Sequence, residues 1–148
     1  MNNISIEGKW VGQVTFDETY PPEYRNKVLN FSINFWYDSD NLKGECEDDI
    51  TKQLSIKPAS IEGSYENESL YFIKRYPCKI ASSEDNKPVA IPTESSYDIQ
   101  YKGVLRKHLF FREYYFKGEW DILISDLNEN KEACHYTWSG KWKMKRPG

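Results

Sequence analysis

Six of the eight glycines in this chain stand inside alternating stretches, two positions after a large apolar residue. The runs are Trp10-x-Gly12, Leu42-x-Gly44, Ile61-x-Gly63, Tyr101-x-Gly103, Phe116-x-Gly118 and Trp138-x-Gly140. The last two continue at the same spacing to Trp120 and Trp142. Side chains two apart share one face of a strand. Glycine weakens a strand interior unless the strand must bend or another group must come close. Glycines repeated on the same face as tryptophans therefore predict a small, strongly curved, closed antiparallel barrel.

Composition agrees with that reading. A chain of 148 residues is expected to form one domain, 1–148, around one core. Aromatic residues make up 16%, with Tyr the commonest at eleven, yet 29% of residues are charged and mean hydropathy is -0.79. Strands with one apolar and one wet face have this mixture; disordered chains, poor in aromatics, do not.

The net charge of -3 argues against a nucleic-acid partner, which calls for a basic face. Two local basic clusters stand out: Arg106, Lys107, His108 and Arg112, and the tail Lys141, Lys143, Lys145 and Arg146. Each reads as a solvated strand face or as a contact for an anionic partner. Cys46, Cys78 and Cys134 are odd in number and lack metal-ligand spacing. The start, Met1-Asn2-Asn3-Ile4-Ser5, has no basic region followed by an apolar run, and no segment is apolar enough to span a bilayer. These features predict a cytoplasmic protein with no membrane partner, either monomer or homodimer.

Alternation places eight strands. They are centred on Trp10–Phe16, Leu29–Tyr37, Leu42–Asp48, Leu54–Tyr65 (broken near Pro58), Ser69–Tyr76, Tyr97–Leu105, Phe116–Ile124 and Tyr136–Met144. No segment shows a sustained helical period. Asp17–Lys27 and Pro77–Ser96 read as long loops, the second as the longest irregular stretch of the chain. Arg106–Glu113 reads either as a turn or as a distorted strand that buries Phe110 and Phe111. The predicted fold class is all-β, an eight-stranded up-and-down antiparallel barrel, with a β-sandwich as its rival.

Gly8-x-Trp10 at the head of the first strand resembles the opening motif of the calycins, the superfamily of lipocalins, fatty-acid-binding proteins and avidins. The order of the later motifs also resembles small bacterial lipocalin-like proteins without an assigned activity. Those motifs are Gly44 to Asp48, Ile61 to Gly63, Phe72 to Tyr76, Tyr101 to Gly103 and Gly118 to Trp120. The resemblance implies a lipocalin- or avidin-like barrel with the first-strand Trp packed across its closed end. The Thr-Asp-Tyr loop of lipocalins and the terminal Arg-x-Tyr clamp of fatty-acid-binding proteins are absent. The resemblance therefore implies a fold and no particular ligand.

Polar residues on the inward face carry the functional information. Carrying the phase from Leu42-x-Gly44-x-Cys46 puts Asp48 inside; if Leu70 and Phe72 point inward, so do Lys74 and Tyr76. A buried charge is costly unless paired and hydrogen-bonded. Asp48 and Lys74 thus read either as a structural ion pair near a barrel mouth or as groups that orient a ligand. In the second reading Tyr76 and Tyr101 add hydroxyls, and Trp10, Phe31, Phe72 and Trp120 form the apolar wall.

Catalysis has little support. His108 and His135 are far apart, and no nucleophile elbow or phosphate loop is present. Glu45, Glu47, Asp48 and Asp49 lack an EF-hand pattern. No metal or cofactor is implied. The expected function is non-catalytic binding of a small, partly apolar ligand in the barrel. The alternative is a protein-interaction module with a filled barrel, working through loops 17–27 and 77–96 and the outward aromatics Trp36 and Tyr115.

Overall fold

The structure, a computed structural model, describes residues 4–85, 87–111, 113–127 and 130–148, and the side chains of all of these except 125–127 and 134–136. Arg112 and the side chains of Cys134 and His135 lie outside the described residues. The chain forms strands β1 (Gly8–Phe16), β2 (Val28–Asp38), β3 (Asn41–Asp48), β4 (Ala59–Glu66), β5 (Ser69–Arg75), β6 (Lys79–Ser82), β7 (Pro88–Ile91), β8 (Ile99–Lys107), β9 (Tyr114–Leu127) and β10 (Ala133–Lys145). Among the described residues one short helix, α1 (Asp49–Leu54), follows β3, and a single 3-10 turn covers Pro22–Tyr24.

Eight of the strands close a barrel in the order β1-β10-β9-β8-β5-β4-β3-β2, every pairing antiparallel. This is the predicted up-and-down barrel. Strands β6 and β7 pair only with each other, as a hairpin inserted between β5 and β8.

Two segments differ from the sequence expectation. Leu54–Tyr65 is not a continuous strand: α1 precedes it, Ser55 turns back in the left-handed region (φ 53°), and β4 starts after Pro58. Proline cannot donate to a ladder, which sets that limit. The stretch 77–96 is not irregular throughout, because it holds the β6–β7 hairpin.

Two of the repeated glycines, Gly103 and Gly140, are seats for indole rings. The Trp142 indole of β10 lies over Gly103 and would collide with any Cβ there. Its Nε1–H donates to the carbonyls of Lys102 (3.2 Å) and Glu119 (3.1 Å). Trp120 covers Gly140 in the same way and donates to the Thr15 carbonyl at 3.0 Å. The missing side chain lets an indole reach the strand backbone, the close approach that only glycine permits.

One end of the barrel is shut. Trp10 is fully buried, packs edge-on against Phe116 at 5.0 Å and donates to the Ile6 carbonyl at 2.8 Å. Gly8, at φ 99°, turns the incoming chain across this end. Arg146 lies over the Trp10 ring at 4.2 Å and bonds the carbonyls of Lys9 and Ser5, joining both chain ends over the plug. Phe35, Leu42, Leu70 and Met144 complete the buried filling.

Candidate functional site

The opposite end holds a cavity of about 640 Å³. Its floor is the layer in which Phe72 stacks on Tyr101 (4.6 Å, 12°) and Trp142 packs against both. Val14, Phe16, Leu29, Ile99, Trp120, Ile122, Ile124 and Trp138 form its walls. Three chain segments roof it. Tyr20 dips in from the 17–27 loop, against Phe16 (4.8 Å) and Trp138 (4.6 Å). The β6–β7 hairpin lines the second side, and Tyr24 touches it through Ser82 at 3.1 Å. Helix α1 contributes Asp49, Ile50 and Gln53 on the third.

The 17–27 loop is fastened at its root. Asp17 accepts from Ser139 Oγ at 2.5 Å and from Thr19 Oγ1 at 2.6 Å, while its own N–H donates to the Ser139 carbonyl. Burial pushes the Asp17 carboxyl up, but these hydrogen bonds outweigh it and hold it below the usual carboxylate range.

At one side of the floor lies a buried polar cluster. Lys74 Nζ meets Asp48 Oδ2 at 2.6 Å, and the two side chains are 2% and 0% exposed. The Tyr76 hydroxyl donates to the same oxygen at 2.5 Å. The other carboxylate oxygen accepts the Thr51 N–H at 2.8 Å, while Thr51 Oγ1 accepts the Asp48 N–H at 2.9 Å. Asp48 is thus both the counter-ion of Lys74 and the N-cap of α1, in a reciprocal capping box. No buried side-chain nitrogen or oxygen among the described residues lacks a partner.

Electrostatics keep this pair ionised. Burial pushes the Asp48 carboxyl up, but Lys74 and hydrogen bonds from Lys74, Tyr76 and Thr51 outweigh it and hold the group low. Burial pulls the Lys74 ammonium down, but Cys46, Tyr101, Tyr76 and Asp48 around it hold it well above the ordinary lysine value. Burial also raises the Cys46 thiol to about 11 and the Tyr101 phenol to about 12. Both keep their protons at neutral pH, so the charge facing Lys74 there is Asp48. Lys74 is thus held as a cation, and Cys46 as a buried, protonated thiol.

The predicted site residues fall in three places. Lys74, Tyr76, Tyr101 and Trp120 line the cavity. Asp48 sits behind them, bonded to Lys74 and Tyr76, and Phe72 lies under Tyr101. Phe31 is buried beside Asp48 in the ladder without lining the cavity, and Trp10 belongs to the shut end. Sequence reasoning missed Tyr20, Phe16 and Trp138. Trp138 shares the inward phase of Gly140, so strand spacing contained its signal; Tyr20 lies in an irregular loop with no period to read.

The acidic run splits between faces, with Glu45 and Glu47 exposed and Asp48 inside. Among the described residues no group of three His, Cys, Asp or Glu is placed to hold a metal. No helix among them is long and apolar enough to cross a membrane. No protein family, curated protein or solved structure matches this chain.

Proposed function

We propose that the protein binds one small, partly apolar molecule in the open half of the barrel, without catalysis. The cavity carries this reading. Its 640 Å³ lies within the range of small-molecule sites, about 300–1,000 Å³. Its walls are aromatic and aliphatic, and its polar floor is confined to Lys74, Tyr76 and Tyr101. Asp48 is not among the lining residues, and Tyr76 already gives its one proton to it, so at the floor a ligand meets the Lys74 cation and the Tyr101 hydroxyl and not the Asp48 carboxylate. That asymmetry selects a ligand whose inner end accepts hydrogen bonds. Lys27, Lys79 and Lys87 outnumber Asp49 among the lining residues and favour the same polarity. The placement of Trp10 across the shut end supports the calycin resemblance, and a cavity of this size favours a ligand over a filled barrel.

Native mass spectrometry of freshly purified protein, before and after unfolding and refolding, tests this reading. The expected result is a discrete extra mass that refolding removes. Ile122→Trp, which fills the cavity from its wall, should abolish that mass while leaving the circular dichroism unchanged. An apo mass in both preparations, or an adduct retained by Ile122→Trp, would overturn the placement.

A further inference from the structure

Strands β8 and β9 meet at the shut end in a tight hairpin whose neck is closed by the His108 N–H donating to the Glu113 carbonyl at 2.7 Å. Its tip carries Leu109, Phe110 and Phe111, exposed by 89%, 86% and 70%. The expected alternative of buried phenylalanines is not what the chain adopts. Three consecutive large apolar side chains held out on one turn are unusual, since isolated exposed apolar residues are the norm and clusters mark contact sites.

The wall beneath this tip is basic. The row nearest it across β8, β9 and β10 is Arg106, Tyr115 and Lys145; the next is Val104, Lys117 and Lys143. On these three strands carboxylates enter further down, at Glu119 and Asp121; Glu113 at the neck of the tip and Glu66 and Glu68 of the β4–β5 turn beside β8 are the acidic groups nearest the cations. A chain of net charge -3 has thus gathered cations on one wall. The acidic β2–β3 turn, with Asp38 and Asp40, stands across the barrel from β9.

We propose that this edge docks on an anionic lipid surface, with Leu109–Phe111 inserted among the headgroups and the Arg106–Lys145 and Lys117–Lys143 rows facing them. An apolar wedge plus a cationic flank is the combination that holds peripheral proteins at such surfaces. A symmetric contact with a second copy would set two basic walls against each other. The absence of a membrane-spanning helix among the described residues bears on crossing the bilayer, not on resting against it. The cavity opens at the other end, so docking leaves it free.

Co-sedimentation with vesicles tests the proposal, using phosphatidylcholine alone and phosphatidylcholine mixed with phosphatidylglycerol. The full chain should bind the mixed vesicles about tenfold or more tightly than the neutral ones, and lose that preference as salt rises. Phe110→Ser/Phe111→Ser and Lys143→Glu/Lys145→Glu should each weaken binding about tenfold, with Leu109→Asn as a second tip variant should the double change disturb folding. Lys43→Glu, on the far wall, should bind as the parent does. Equal binding to both vesicle types, no binding, or tip variants that bind normally would overturn the proposal. So would a dimer that Phe110→Ser/Phe111→Ser converts to monomer with no vesicle binding, which would make the tip a self-association surface.

Discussion

The two halves of the barrel interior are built from the same strands and solve different problems. Below the Phe72–Tyr101–Trp142 layer, Trp10, Phe35, Leu42, Leu70, Phe116 and Met144 are all buried against one another. Above it, Phe16, Leu29, Ile122 and Trp138 are only partly buried and surround a space. The shut half concentrates dispersion and hydrophobic gain, and leaves nothing for a ligand to displace. The open half retains unburied apolar surface and one desolvated ion pair, which are costs to stability and assets to binding. On the proposed reading, stability and recognition are divided along the barrel axis, with the stacked Phe72–Tyr101 pair as the boundary.

The comparison breaks first at tryptophan. Trp10→Ala should destabilise the fold by about 3–5 kcal/mol, the range for a large aromatic deleted from a packed core. Trp138→Ala, in the mouth, should cost about 1 kcal/mol while weakening any bound molecule. Urea unfolding of both variants measures the gap, and equal midpoints would erase the division. Lys74→Met sharpens it. Left alone at the floor, Asp48 becomes an uncompensated buried charge, at about 3–5 kcal/mol. Adding Asp48→Leu should recover most of that, short of about 1 kcal/mol for the lost helix cap. A double variant no more stable than the single one would show that the pair is not the source of the cost.

The smallest expected effect is in the pH profile. The Asp48 carboxyl is held low in the folded protein, so its stabilising contribution is present above its unfolded value and lost as pH falls through the folded one. The Lys74 ammonium is held high, so the same contribution persists below its unfolded value and is lost as pH rises through the folded one. Both describe one interaction. Stability from the pair should be level from about pH 4 to about pH 10 and fall outside that window. Thermal melts of the parent and the double variant across pH check this: the difference between them should be constant inside the window and shrink beyond it. A slope through neutral pH would mean that another group dominates.

The barrel was legible because its glycines and aromatics recur at the strand period, and because one marked residue sets the phase of all others on a strand. That spacing brings Asp48 together with Lys74 and Tyr76 from two distant segments. Helix α1 escaped because six residues cannot display a helical period; only Asp48 and Thr51, at capping distance, hinted at it. The β6–β7 hairpin escaped because four-residue strands beside Pro88 look like loop. The 109–111 tip was read in two ways because burial of consecutive phenylalanines is the usual outcome, and nothing local says that a turn will hold them outward.

The inserted hairpin has a consequence for how such a protein can change. Strands β5 and β8 pair directly, from Ser69 with Val104 to Lys74 with Ile99, so the β6–β7 segment contributes no rung to the barrel. It is a cassette mounted at the rim. Lengthening, shortening or exchanging it reshapes the cavity mouth while the eight-stranded ladder stays intact. If the cavity binds as proposed, selectivity can drift on a faster clock than architecture, since variation in the rim is not charged against the part that folds.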